Sequence, residues 1–326
     1  MKILVLQLKR IGDLIVTAPA LAALRRAHPE PRITLVSDRS TCDLLPAFQM
    51  ADRTFTYGRS GGNGELWRHL AFERYDLCFD YTGNDRSALF SLLSKAPRRV
   101  AFNWAKKSRV RSVVYNMWVD SAVRDHHTID HYLHMVSAEV SQQEQAPLPL
   151  QIPSPVHAAA RALVDVDDFA ILHPGTARPE KYWVPQRWAE VMAFVENELG
   201  LPVYITGSPD VYEQAHLAEI RHSATTPWRD LTGKIDLLTL MSLAEKARLF
   251  LSVDSAPMHM AAMFGTPQVA LFGPTNPFHW RPRHPRARVI MPTGLATSFT
   301  PRHPKGQLVD ISTEMVIDVA RQLHSP

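Results

Sequence analysis

Residues 1–13, MKILVLQLKRIGD, change character part-way along. Lys2 to Leu8 is an apolar run of one strand's length and reads as a buried strand. Lys9 to Gly12 is a polar turn with a glycine, and Asp13 to Ala27 (DLIVTAPALAALRRA) carries apolar residues at helical spacing, interrupted by Pro19. Arg32 to Ser37 (RITLVS) and Tyr75 to Asp80 (YDLCFD) read as further strands, each preceded by a helical or loop stretch. Strands alternating with helices predict a parallel sheet, because parallel neighbours need a crossover between them.

The same grammar restarts later. With 326 residues and ~150 residues per domain as a guide, two domains are expected. Gln142 to Val156 (QQEQAPLPLQIPSPV) has prolines at 147, 149, 153 and 155 and reads as a semi-rigid linker. The expected domains are therefore residues 1–150 and 151–326. In the second, Phe169 to Leu172, Val203 to Thr206, Arg248 to Val253 and Gln268 to Phe272 read as strands and Trp188 to Leu199 as a helix. A second open parallel sheet follows. Ligands of such sheets bind at the carboxyl ends of the strands, so two sheets facing each other would form a cleft. A last helix is expected at about Thr313 to Leu323.

Composition narrows the class. At 45% hydrophobic and 21% charged residues, the chain is an ordinary globular one. Cys42 and Cys78 are its only cysteines, which excludes a disulfide framework and fits a reducing compartment. Lys9 and Arg10 follow the first apolar run too early for a signal peptide. The longest stretch without charged residues, Ser255 to Trp280, is broken by Pro257, Pro267, Pro274 and Pro277, so it is not one membrane span. The net charge of +4 permits an anionic partner.

Three loops could carry chemistry. Gly12-Asp13 sets a carboxylate in the first turn of a helix, where a capping role is the plain alternative. His173-Pro174-Gly175-Thr176 to Lys181-Tyr182-Trp183 follows a strand and offers amides, a hydroxyl and an ammonium to phosphate oxygens. Asp254-Ser255-Ala256-Pro257 precedes an apolar helical stretch, so it should sit at a helix N-terminus, a ready anion site. No G-x-G-x-x-G is present, which counts against a nicotinamide oxidoreductase, and Ser255 lies outside a G-x-S-x-G elbow. Asp165-Val166-Asp167 reads as a solvated turn and not a metal site.

Taken in order, these motifs resemble the ADP-heptose:lipopolysaccharide heptosyltransferases. The resemblance rests on Gly12-Asp13, the His173 to Trp183 loop, Gly233-Lys234, Asp254-Ser255 to His259 and Leu271-Phe272-Gly273-Pro274-Thr275. Asp254-Ser255-Ala256-Pro257 with His259, and Trp280-Arg281-Pro282, look most like the heptosyltransferase III branch, although many relatives carry glycine at the position of Ala256. It implies an α/β GT-B fold of two facing Rossmann-like domains, with the acceptor on the first and the nucleotide sugar on the second; the last helix could pack back on the first. It also implies an inverting transferase in which Asp13 is the general base and Lys181 stabilises the leaving ADP. Thr176, Ser255, Ala256 and His259 would hold the diphosphate, Asp254 would be oriented toward the donor or loop amides, Lys234 and Ile235 would line the adenosine pocket, and Asp210 or Glu213 would accept from the ribose hydroxyls. No metal or other cofactor is expected.

The acceptor in such a family is an acidic inner-core sugar on a lipid. From Lys95 to Arg111 the chain has Arg98, Arg99, Lys106, Lys107 and Arg109 with no acid. That run suits an anionic glycolipid or the anionic leaflet at ~1 kcal/mol per basic residue near the surface. A cytoplasmic enzyme at the inner face of the inner membrane is expected. Nucleic acid is not, since no aromatic-rich RNA-binding signature occurs. His126-His127-Thr128-Ile129-Asp130-His131 has a metal-like look and is read as structural or acceptor-side. Transfer of another nucleotide sugar, or binding without catalysis, are the competing readings.

Overall fold

A computed structural model describes residues 1–141, 150–302 and 306–324. The chain divides into two compact units, Met1–Gln151 and Ile152–Pro326, each with its own sheet and core.

The first unit runs β1 (Lys2–Gln7), α1 (Ile11–Ala27), β2 (Arg32–Asp38), β3 (Arg53–Tyr57), α2 (Gly64–Phe72), β4 (Leu77–Asp80), α3 (Asp85–Leu93), β5 (Arg98–Phe102), α4 (Arg109–Val114), β6 (Met117–Val119) and α5 (Thr128–Val136). Its sheet has the order β3-β2-β1-β4-β5-β6, and all strands are parallel. β1 lies inside the sheet, and Ile3, Leu4, Val5 and Leu6 are wholly buried. That is why this strand has no polar alternation, and each such side chain contributes ~1.5–3 kcal/mol. α1 is not interrupted at Pro19: the helix continues to Ala27, with Leu14 to Leu24 all buried. Packing on that scale outweighs the one helical hydrogen bond that a proline cannot make.

The second unit runs α6 (Ser154–Arg161), β7 (Ala170–His173), α7 (Pro185–Asn197), β8 (Val203–Ile205), α8 (Val211–Ser223), β9 (Arg229–Asp230), α9 (Leu237–Lys246), β10 (Leu249–Val253), α10 (Ala256–Phe264), β11 (Gln268–Leu271), α11 (Pro277–Trp280), β12 (Ala287–Met291), β13 (Gly294–Leu295) and α12 (Thr313–His324). Residues 142–149 of the stretch read as a linker lie outside the described residues. Its last part is helical, because Pro155 occupies the first turn of α6, where a missing N–H costs nothing. The sheet order is β13-β12-β11-β10-β7-β8-β9, parallel except for the β12–β13 edge hairpin. Trp183 and Trp188 meet edge to face at 4.8 Å in the core, and Trp183 Nε1 donates to Ile311 O at 3.0 Å. α12 adds Val316, Val319 and Ala320 to this same core, so the final helix is part of the second unit's packing.

Both sheets reverse direction beside their first strand. In the first unit the chain builds outward from β1 to β3 and then crosses to β4 on the other side; in the second it builds from β7 to β9 and crosses to β10. Such reversals open a crevice at the carboxyl ends of the two flanking strands. Among the described residues no helix is long and apolar enough to cross a membrane.

Candidate active site

Asp13 lies at the first of these crevices. The chain leaves β1 through Leu8, whose N–H donates to Thr82 Oγ1 at 2.7 Å in the loop after β4. α1 then begins with extended Arg10 as its cap residue and no side-chain cap, so Asp13 is the only acid of the first turn. The Tyr132 hydroxyl of α5 donates to Asp13 Oδ1 at 2.6 Å. Lys9 Nζ donates to the same hydroxyl at 3.4 Å and lies 5.3 Å from the Tyr132 ring. Tyr132 is 1% exposed, and its hydroxyl pKa is pushed well up by burial and by the Asp13 charge. It therefore stays a donor. Loss of water pushes the Lys9 pKa down, against the pull of Asp13 and Asp80. Asp80 ends β4, wholly buried, and accepts from Thr82 N at 2.8 Å, Gly83 N at 2.9 Å and the Tyr115 hydroxyl.

The crevice of the second unit is built by the loops after β7 and β10. Lys181 and Asp254, read from sequence as separate contacts, form one buried pair: Nζ is 2.5 Å from Asp254 Oδ2, with the side chains 11% and 9% exposed. The lysine is not a lone cation. Ser255 caps α10 in an extended conformation without a side-chain cap bond, and its buried Oγ has no partner among the described residues. Pro257 has no N–H, so the amides aimed outward from this turn are those of Ala256 and Met258. His259 is buried one turn further on, its ring 6.0 Å from Trp280. Thr176 is half-buried on the loop after β7. His173, at the end of β7, is 2.9 Å from Thr206 Oγ1.

One carboxylate draws the loops after β7 and β8 together. Glu213 accepts from Ser208 N and from Ser208 Oγ, both at 2.7 Å, and burial raises its pKa. A Cβ on Gly175 would fall 1.9 Å from Glu213 Oε1, which explains the glycine in that loop. Asp210 caps α8, accepting from Tyr212 N at 3.0 Å. Both carboxylates read as ribose contacts thus accept hydrogen bonds from their own segment, Asp210 through Oδ1 and Glu213 from Ser208. Lys234, in the turn after β9, is 3.0 Å from Asp230 Oδ2, and Ile235 beside it is half-buried.

A model of glycosyltransferase family 9 (heptosyltransferase) matches residues 64–302, well over half of the chain. The chain belongs to this family. It is similar to lipopolysaccharide heptosyltransferase 3 of Escherichia coli (strain K12), 25% identical over 295 residues that cover 83% of this chain and 82% of that protein. Among solved structures it resembles a family 9 glycosyltransferase from Veillonella parvula DSM 2008, with a TM-score of 0.83, 25% identity and coverage of 99% and 97%. It also resembles the E. coli ADP-heptose lps heptosyltransferase II, with a TM-score of 0.80, 22% identity and coverage of 99% and 98%. The fold is GT-B, and the protein is a glycosyltransferase.

For this family 9 enzyme, the structure divides the basic run. Arg98 and Arg99 start β5, at the amino end of the sheet, whereas Asp13 lies beyond its carboxyl end and two strands across. Their guanidinium groups are also occupied: Arg98 pairs with Glu139 at 2.6 Å, and Arg99 donates to Val114 O at 2.6 Å and Ala96 O at 2.5 Å. Lys106 and Lys107 follow β5 and are exposed at its carboxyl end. The histidine run is structural at His131, which stacks on Phe102 at 3.8 Å and lies 2.8 Å from Ser121 Oγ. Asp165 accepts from the Tyr204 hydroxyl and Asp167 pairs with Arg161 at 2.9 Å. Among the described residues no three His, Cys, Asp or Glu side chains converge as metal ligands.

Tyr132 and Lys9 are the site residues that sequence reasoning missed. Lys9 stands in the deciding stretch but reads only as the start of a polar turn. Tyr132 directly follows His131 and carried no signal, since its partner is 119 residues away in sequence.

Proposed function

We propose that the chain transfers heptose from ADP-heptose, with inversion, to a sugar of the lipopolysaccharide inner core at the cytoplasmic face of the inner membrane. Asp13 takes the proton of the acceptor hydroxyl as the hydroxyl attacks the anomeric carbon, and ADP leaves. The observation that carries this reading is the chemistry at the two crevices: an uncapped carboxylate held by a neutral donor in one, and an unsatisfied helix N-terminus beside a buried lysine in the other. The name of one relative pairs ADP-heptose with lipopolysaccharide.

The Tyr132 hydroxyl fixes Oδ1 of Asp13, leaving Oδ2 to meet the acceptor. A positioned base of this kind contributes ~10²- to 10⁴-fold. On the donor side, charge grows on the diphosphate as the sugar leaves. The Ser255 hydroxyl, the first-turn amides of α10 and the Lys181 ammonium supply donors fixed in advance, each worth ~10²-fold or more where water is excluded. Asp254 holds Lys181 in place, and Thr176 and His259 complete the diphosphate side. Lys234 and Ile235 take the adenosine. No metal takes part in this scheme.

The test is ADP release from ADP-heptose with a deacylated, heptose-containing core acceptor, for wild type, Asp13→Ala and Lys181→Ala. Turnover by the wild type that collapses in Asp13→Ala, with ADP affinity kept, supports the assignment. ADP binding with no turnover sinks the choice of heptose, and turnover of another nucleotide sugar then names its replacement.

A further inference from the structure

We infer that the outer surface of α3 and α4, with the 3-10 turn Asn103–Lys107 that precedes α4, is a docking face for an anionic lipid bilayer. The inference rests on the glycolipid-acceptor reading for its purpose and on independent geometry for its place.

Four large aliphatic side chains stand in water on these two helices. Leu89 and Leu92 of α3 are 44% and 51% exposed, and Val110 and Val113 of α4 are 63% and 82% exposed. Each pair is spaced i, i+3 and so shares a helix face. The helices meet over a common core that contains Ala88, Ala105, Val114 and Tyr115. Leu89 and Val113 are the exposed sequence neighbours of Ala88 and Val114 in that core. Arg111 ties the surface together: Nη1 donates to Gly83 O at 2.8 Å, Nε lies 3.6 Å from Asp85 Oδ1, and the guanidinium is 5.8 Å from the Trp104 ring. Trp104 is 39% exposed at the same edge. Isolated exposed aliphatics are ordinary; four on two packed helices form a patch that asks for a partner.

Charge selects the partner. From Arg86 to Val119 the chain has no Asp or Glu. Asp85, on the same exposed stripe of α3 as Leu89 and Leu92, is the acid paired with Arg111. Lys106, Lys107 and Arg109 are exposed beside the valines, and Lys106 Nζ lies 5.0 Å from the Trp118 ring. An apolar patch bordered by cations, with its one acid neutralised, matches an interface that offers acyl chains under a layer of negative headgroups. The long basic side chains reach headgroups while the aliphatics enter below them. A nucleic acid has no use for the valines.

The experiment is flotation of the full chain with vesicles of phosphatidylglycerol mixed with phosphatidylcholine, against phosphatidylcholine alone. Wild type floats with the anionic vesicles only. Val110→Asp/Val113→Asp, and separately Leu89→Gln/Leu92→Gln, lower the bound fraction by about tenfold or more. Both variants keep the wild-type melting temperature and turnover with the deacylated, water-soluble acceptor, because the substituted side chains are exposed and stand on helices that carry none of the catalytic or donor-side residues. Wild type that stays unbound on anionic vesicles overturns the inference, as do variants that float like wild type. Transfer without flotation leaves the catalytic reading standing and removes the docking face. Flotation abolished by the variants, with no transfer by wild type, does the reverse.

Discussion

After β1 the chain enters α1 with Asp13 in the first turn, and after β10 it enters α10 with Asp254 just outside the first turn. Both turns lie beside the reversal of a parallel sheet, and both place one carboxylate there. They differ in what the carboxylate touches. Asp13 accepts from a neutral hydroxyl at 2.6 Å, whereas Asp254 meets an ammonium at 2.5 Å. A hydroxyl orients a carboxylate without bringing a compensating charge to it. A buried ion pair cancels itself. Beside the pair, whose ammonium still has N–H groups to donate, α10 adds the positive end of the helix and its first-turn donors, a setting for an anion. Similar backbone has thus been given two electrostatic tasks by one partner residue each.

Changing the two acids should break the likeness unequally. Asp13→Asn keeps shape and removes the base, so kcat is expected to fall ~10²- to 10⁴-fold with ADP affinity intact; steady-state rates alongside calorimetric ADP binding would show it. A loss below threefold would mean that Asp13 is only a helix-end carboxylate. Lys181→Met is next. It removes a donor from the leaving group, with kcat/KM expected ~10²-fold lower, and also strands a buried carboxylate at a cost of about 3–5 kcal/mol. Adding Asp254→Asn should restore most of the melting temperature but none of the activity. If the double variant regains turnover, the lysine serves the fold and not the phosphate.

The sequence revealed the crevices better than their contents. β1, β7, β10 and β11 are buried on both faces and therefore read as continuous apolar runs. β3 (RTFTY) and β5 (RRVAF) begin with arginines, and β6, β9 and β13 are too short for any period, so these outer strands were not read. Asp254 and Ser255 are legible because they directly follow β10, and Asp13 and Lys181 because they lie in the polar segments that leave β1 and β7. Their partners were not: Tyr132 reaches Asp13, and Lys181 reaches Asp254, across 119 and 73 residues. Nor did the basic run show that Arg98 and Arg99 begin a strand while Lys106 and Lys107 lie beyond its end, a separation set by the sheet register.

The comparison sharpens with Tyr132→Phe, which removes the neutral partner of Asp13 and little volume. A hydrogen bond to a charged group is worth about 1.5–3 kcal/mol, so kcat should fall by about 10- to 10²-fold. Tyr132→Phe/Asp13→Asn should be no slower than Asp13→Asn alone, because the hydroxyl acts only through that carboxylate. Fully additive losses would show that Tyr132 has a role of its own.

The smallest effect concerns two buried histidines. Burial takes His173 down to about 4 and His131 down to about 3, against ~6.5 in an unfolded chain. Folding therefore favours the neutral imidazoles. Their contribution is complete above pH ~6.5 and is lost as pH falls toward the folded values, because the unfolded chain binds the protons first. Each histidine should steepen the loss of stability by about 1.4 kcal/mol per pH unit across that window. The melting temperature should be level from pH 7 to 8 and decline from pH 6.5 to 5, before most carboxylates titrate. His173→Gln keeps a polar group near Thr206 and removes the titration, so its decline should be shallower than that of wild type. An equally steep decline would mean that other groups take up the protons, and that the His173 contact with Thr206 does not depend on a neutral ring.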